Sequence, residues 1–171
     1  MKIYKTENVK EDKFLHTKTK EVDLGSFDKE KLRKIIRDMR KTMVEADGIG
    51  LAGNQVGLDL RLFVARDNGK FYAVINPKIT KTFGHKYETE EGCLSVPGFF
   101  GETKRYPEVM LEGQNQSGKK LRFRADGLLA HIFQHEVDHL DGIVYVDHAK
   151  NVYEHAKSER LKEKEGKNDE K

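Results

Sequence analysis

What this chain lacks narrows it first. It has one cysteine, Cys93, so no intrachain disulfide can form, and a lone thiol suits a reducing compartment. No apolar run approaches the roughly 20 residues of a membrane-spanning helix. Met1-Lys2-Ile3-Tyr4-Lys5 lacks the apolar stretch of a secretory signal. A cytoplasmic protein with no membrane partner is therefore expected. Excess charge of one sign is also missing. Lys and Arg number 32 against 29 Asp and Glu, a formal net charge of +3 that gives no case for sequence-specific nucleic acid binding. Tryptophan is absent, which excludes nothing. Hydrophobic residues make up 36% and charged residues 36%, low and high respectively for a globular chain. Much of that charge falls after Ala149. The length fits one compact domain better than two. Residues 1–148 read as a single domain. Residues 149–171 read as a charged tail, partly helical to about Lys164 and frayed or disordered beyond it.

What is present has clear periodicity. Leu32, Ile35, Ile36, Met39 and Met43 recur at helical spacing, which predicts an amphipathic helix within 27–46. Asp28 is its candidate cap, with Phe27 and Leu32 forming a hydrophobic staple. Two β-prone runs, Leu60 to Arg66 and Phe71 to Asn76, flank Asp67-Asn68-Gly69, a hairpin signal. A second hairpin joins Val109-Met110-Leu111 to Leu121-Arg122-Phe123-Arg124, whose alternation shows one face to water. Ile79 to Tyr87 is a weaker strand candidate, and Ile143-Val144-Tyr145-Val146 reads as short and β-like. Between these lies a helix bearing Leu128, Leu129, Ile132, Phe133, Val137 and Leu140, opened by Asp126 and closed by Asp141-Gly142. The fold class is α+β: antiparallel hairpins and sheets around a buried helix near the C-terminus, with an N-terminal amphipathic helix.

That buried helix carries His135-Glu136-Val137-Asp138-His139. Histidines four apart lie one turn above each other and can both reach one metal ion. Glu136 projects to the flank of the pair, placed to hydrogen-bond a water held there. This is the spacing of metal-assisted hydrolysis. A pair of exposed histidines near a helix end would suit the helix dipole, but these sit on a helix that is apolar over much of its surface, and buried histidines need a compensating partner. The Cys93 thiolate would make a third ligand beside His135 and His139, leaving a fourth position open. Such a ligand set suits zinc, iron, cobalt or nickel. A zinc peptidase would instead recruit a third ligand downstream, from Asp147, His148, Glu154 or His155. A purely structural metal would prefer four protein ligands and leave Glu136 without a task.

Three segments stand out together: Gly48-Ile49-Gly50-Leu51-Ala52-Gly53-Asn54-Gln55, Glu91-Gly92-Cys93-Leu94-Ser95, and Gln134-His135-Glu136-Val137-Asp138-His139-Leu140-Asp141-Gly142. In this order they resemble the three motifs of the peptide deformylase family. The resemblance implies a metal-dependent hydrolase that removes the N-formyl group from formylmethionyl nascent peptides and releases formate. It implies one Fe²⁺ ion, with Zn²⁺ as the alternative and Ni²⁺ or Co²⁺ also fitting. It implies that Glu136 is the general base, and that the Gln55 amide and the Leu94 backbone N–H hold the oxyanion. Gly48, Ile49, Gly50 and Leu128 would bind substrate, with Ile49 and Leu128 lining a methionine pocket. Extensions in this family can contact the ribosome. Two departures stand out. Gly53 replaces a usual Ala, which suggests a looser loop. His131 sits one turn before His135, where it could face the pocket or compete for metal. The apolar segment Val96-Pro97-Gly98-Phe99-Phe100-Gly101 either shapes the pocket rim or packs as ordinary core.

Overall fold

The computed structural model describes residues 1–154. Two helices open the chain, α1 (Val9–Leu15) and α2 (Lys29–Glu45). Strands follow: β1 (Gly50–Ala52), β2 (Leu62–Asp67), β3 (Lys70–Phe83), β4 (Tyr87–Cys93), β5 (Val96–Arg105), β6 (Glu108–Gln114) and β7 (Lys120–Asp126). Helix α3 (Gly127–Leu140) and a last strand, β8 (Lys150–Glu154), complete the order. All strand pairs are antiparallel. They form one sheet in the order β1-β2-β3-β6-β7 and another in the order β4-β5-β8. The expected α+β class and both expected hairpins are present. No helix among the described residues is long and apolar enough to cross a membrane.

The larger sheet is covered on both faces, and β2 shows why its sequence is apolar without interruption. Phe63 and Ala65 face a core shared with Phe133, Val137 and Leu140 of α3. Leu62 and Val64 face a second core with Leu32, Ile36, Met39 and Met43 of α2. A strand buried on both sides loses the in-out alternation of a half-exposed one. At the sheet edge β7 keeps that alternation, with Leu121 and Phe123 packed inward and Lys120, Arg122 and Arg124 in solvent. Phe133 anchors α3 through ring contacts at 5.6 Å to both Phe63 and Tyr72. Fully burying a side chain of this kind contributes about 1.5–3 kcal/mol.

Local signals explain the turns. Asp28 accepts from the Lys31 N–H at 2.8 Å and starts α2. Asn68 and Gly69, both at positive φ, form the two-residue loop between paired Asp67 and Lys70. Asp126 occupies the position before α3, but its side chain makes no capping hydrogen bond. Three expectations need correction. The run Ile79 to Tyr87 is not one strand, since β3 ends at Phe83, the chain turns at Gly84 with positive φ, and β4 begins at Tyr87. The stretch Ile143–Val146 is not a strand. Asp147 accepts from the Val144 N–H at 2.8 Å and closes a 3₁₀ turn over Tyr145–Asp147, burying Val144 and Tyr145. The charged tail also does not begin as a helix at Ala149. Lys150–Glu154 pairs with the free edge of β5, with Phe99 opposite Glu154 and Phe100 opposite Tyr153. The remainder of the tail reading lies outside the described residues.

Candidate metal centre

Strand β4 ends on Cys93, where its pairing with β5 shifts by three residues, from Gly92 opposite Phe100 to Cys93 opposite Val96. One helical turn apart on α3, His135 and His139 face it. Cys93 Sγ lies 3.1 Å from His139 Nε2, which lies 3.1 Å from His135 Nε2. The three donor atoms all fall within 4.8 Å of one another. One soft and two imidazole donors converging on a point match a divalent transition metal. His135 and His139 are held in this arrangement by backbone: α3 is capped at its end by Asn54, whose amide donates to the His139 carbonyl at 2.5 Å and the Leu15 carbonyl at 3.0 Å.

Glu136 is buried beside this cluster, and its Oε2 has no hydrogen-bond partner within the described chain. A buried carboxylate oxygen without a partner is costly, so it marks a place for a polar group from outside the chain. The carboxylate lies against the Gly50 backbone. A Cβ at Gly50 would come within 2.0 Å of Glu136 Oε1, so only glycine leaves room. Burial pushes Glu136 up to about 7; the His135 charge pulls it down and Glu91 adds to the rise. A carboxyl balanced near neutrality can take a proton and return it.

Gln55 sits in the 3₁₀ turn Asn54–Val56 that follows β1. Its Oε1 accepts from the Ala52 N–H at 2.8 Å, which forces its Nε2 toward Ser95 Oγ at 3.1 Å and Cys93 Sγ at 3.4 Å. A donor that cannot flip thus points at the metal donors. A cavity of about 620 Å³ opens above them. Gly48, Ile49, Gly50, Gln55, Leu94, Leu128, His135 and Glu136 line it, as does the Val96–Phe100 segment, which therefore forms the pocket rim. All residues expected at the site except His139 reach this cavity. His139 lies behind it as the inner donor. The downstream ligands of a zinc peptidase do not join: Asp147, His148 and Glu154 are absent from the donor cluster, and His148 Nε2 lies 3.8 Å from Asp138. His155 lies outside the described residues.

Residues 6–155 match the polypeptide deformylase family. The chain belongs to that family. It is 47% identical to the peptide deformylase of Symbiobacterium thermophilum over 124 residues, covering 71% of this chain and 57% of that protein. The chain therefore spans little more than half the length of that relative. It is 42% identical to the peptide deformylase of Fusobacterium nucleatum over 146 residues, or 85% of this chain and 83% of that one. A crystal structure of a peptide deformylase from Synechococcus elongatus in complex with actinonin superposes with a TM-score of 0.79 at 37% identity, covering 87% of this chain and 78% of that chain.

The residue whose role the sequence did not disclose is Glu91. It looks like one of several strand acids, yet it is buried. Arg105 donates to it twice, Nε at 2.9 Å and Nη2 at 2.7 Å, and Thr103 Oγ1 donates at 2.6 Å. His135 Nδ1 hydrogen-bonds the same carboxylate, and His131 Nε2 lies 3.2 Å from it. Burial alone would raise the Glu91 carboxyl, but the bonds from His131, His135 and Arg105 outweigh it and hold Glu91 well below the usual range. Occupying His135 Nδ1 in this way leaves Nε2 to face the metal donors. His131 is thus tied to Glu91 and does not join the donor cluster. Burial and the His135 charge hold His139 below its ordinary value, so it stays neutral and able to ligate. The looser loop expected at Gly53 is also corrected. A Cβ there would meet the Leu60 carbonyl oxygen at 2.4 Å, so the loop is tight and the missing methyl is what permits it.

Proposed function

We propose that this chain hydrolyses the N-formyl group of formylmethionyl nascent peptides, releasing formate and a free amino terminus. The observation that carries this reading is the pairing of the buried, partnerless Glu136 oxygen with the fixed Gln55 amide around three convergent metal donors. The metal ligands would be Cys93, His135 and His139, with Fe²⁺ the expected ion by family and Zn²⁺, Ni²⁺ or Co²⁺ compatible with the donors. When bound, the ion supplies Lewis acidity at the formyl oxygen and acidifies water. Glu136 takes the proton as water attacks the formyl carbon. The Gln55 Nε2 and the Leu94 N–H donate to the oxygen that gains charge. As the C–N bond breaks, Glu136 returns the proton to the leaving amine.

Gly48 and Gly50 bring the β1 backbone close to an extended substrate, and Ile49 and Leu128 offer apolar surface to a methionine side chain. A thiolate ligand suits the reducing cytoplasm, and contact with the ribosome would deliver nascent chains. The catalytic unit would run to Glu154, with the residues after it as the tail. The test is Glu136→Gln, which keeps the shape and removes the proton acceptor. It should retain metal, measured by elemental analysis, while kcat on formyl-Met-Ala falls about 10²–10⁴-fold. Near-normal turnover by the metal-loaded variant would sink the mechanism.

A further inference from the structure

Beside the catalytic cavity lies a second depression of about 520 Å³, and the two share Ile49 and Leu128 in their walls. Its floor is unusually apolar for surface. Val44, Ile49 and Leu128 expose 47%, 43% and 54% of their area. Large apolar side chains gathered on one exposed patch mark a binding surface. Its rim is basic: Arg40, Arg66 and Lys70 against one carboxylate, Asp67. Arg66 is already engaged, donating to the Gly48 carbonyl at 2.9 Å and to Asp47 at 3.2 Å. Arg40 lies over the Phe71 ring at 4.5 Å and has no carboxylate partner among the described residues; Lys70 has none either. Two cations therefore flank an apolar floor with their charges unmatched.

The topology says what would lie there. Strand β1 pairs with β2 alone, so its other edge is open to an added strand. At one end of β1, Ala52 and Asn54 are fully buried; at the other, Ile49 is exposed. A peptide laid along β1 with its amino end at the metal donors and running toward Ile49 would pass into this depression, which shares Ile49 and Leu128 with the catalytic cavity.

We propose that the groove receives the residues downstream of the formylated methionine and favours chains whose third to fifth positions carry acidic residues after an apolar one. The proposal rests on the deformylase reading above. It is tested with three substrates: formyl-Met-Ala-Leu-Asp-Asp-amide, formyl-Met-Ala-Leu-Lys-Lys-amide and formyl-Met-Ala. At low ionic strength the wild type should prefer the acidic peptide over the basic one by roughly three- to tenfold in kcat/KM, the scale of two exposed charge pairs. The ratio should shrink in 0.5 M salt as screening shortens to a few ångströms. In Arg40→Gln/Lys70→Gln it should fall to near one, with formyl-Met-Ala turnover unchanged. A wild-type ratio of one, or a ratio that survives the double substitution, overturns the proposal. So does a double variant with unaltered peptide preference that sediments less with ribosomes, since the groove would then serve the ribosome. Failure of the wild type to hydrolyse formyl-Met-Ala would instead remove the deformylase reading, and this proposal with it.

Discussion

Some side chains at this centre act mainly by fixing others. Glu91 holds His135 by its Nδ1 while Arg105 and Thr103 hold Glu91. Replacing Glu91 with Gln keeps the shape and removes the charge that three cationic or ionisable neighbours face. Metal affinity should drop about 10–100-fold, the range typical of such outer partners. Competition with a chromophoric chelator measures it, and an unchanged affinity would show that α3 alone orients His135. Gln55 works differently, since its amide is aimed by the Ala52 N–H. Gln55→Leu should lower kcat by about 10²–10³ with little change in KM, because the oxyanion exists only in the transition state. An effect confined to KM would reassign Gln55 to substrate binding. His135, Glu136 and His139 were readable as candidates from their short spacing, and Gln55 only through the resemblance of its segment to a family motif. Glu91 was not, because its burial depends on Arg105 and two residues of α3 that only the folded chain brings near.

At the level of elements, both hairpins were legible because turn chemistry and alternation are local. Strands β5 and β8 were not. The Val96–Gly101 segment reads as either pocket rim or ordinary core, and Lys150–Glu154 as solvated charge. Strand β5 forms a hairpin with the neighbouring β4 but carries a Pro97-Gly98 segment with no clear alternation, and β8 forms by pairing with β5 across about fifty residues of chain, a distance no local pattern reports. Strand β8 therefore braces the wall that carries Phe99 and Phe100. Tyr145 helps, donating from its hydroxyl to the Phe99 carbonyl at 3.0 Å. Truncation after Glu154 should leave thermal stability and formyl-Met-Ala turnover unchanged. Truncation after Ala149 should remove β8 and lower the unfolding temperature by about 5–10 °C, equivalent to roughly 2–3 kcal/mol in a chain of this size. Coincident melting curves for the two truncations would show that β8 contributes nothing.

Across the whole molecule, the centre joins parts that otherwise touch little. Cys93 comes from the three-stranded sheet, and the histidines come from the helix packed on the five-stranded one. Arg105 bridges them a second time, from Glu91 to Asp138 Oδ2 at 2.5 Å. Because Glu91 is held below its ordinary value of 4.5, the folded state does not take up its proton where the unfolded chain does. Its stabilisation is present above about pH 4.5 and drains away as pH falls below that, by up to about 1.4 kcal/mol per pH unit. Urea midpoints of chelated protein between pH 3 and 6 should fall more steeply in wild type than in Glu91→Gln; parallel curves would contradict this. The same layout sets an order of birth. During synthesis Gln55 and Cys93 emerge first, and some forty residues must follow before His135 and His139 exist. Until α3 closes over the sheet, the chain carries a naked thiol and no catalyst. Its most oxidisable atom thus waits through that interval of synthesis without the partners that would hold a metal beside it.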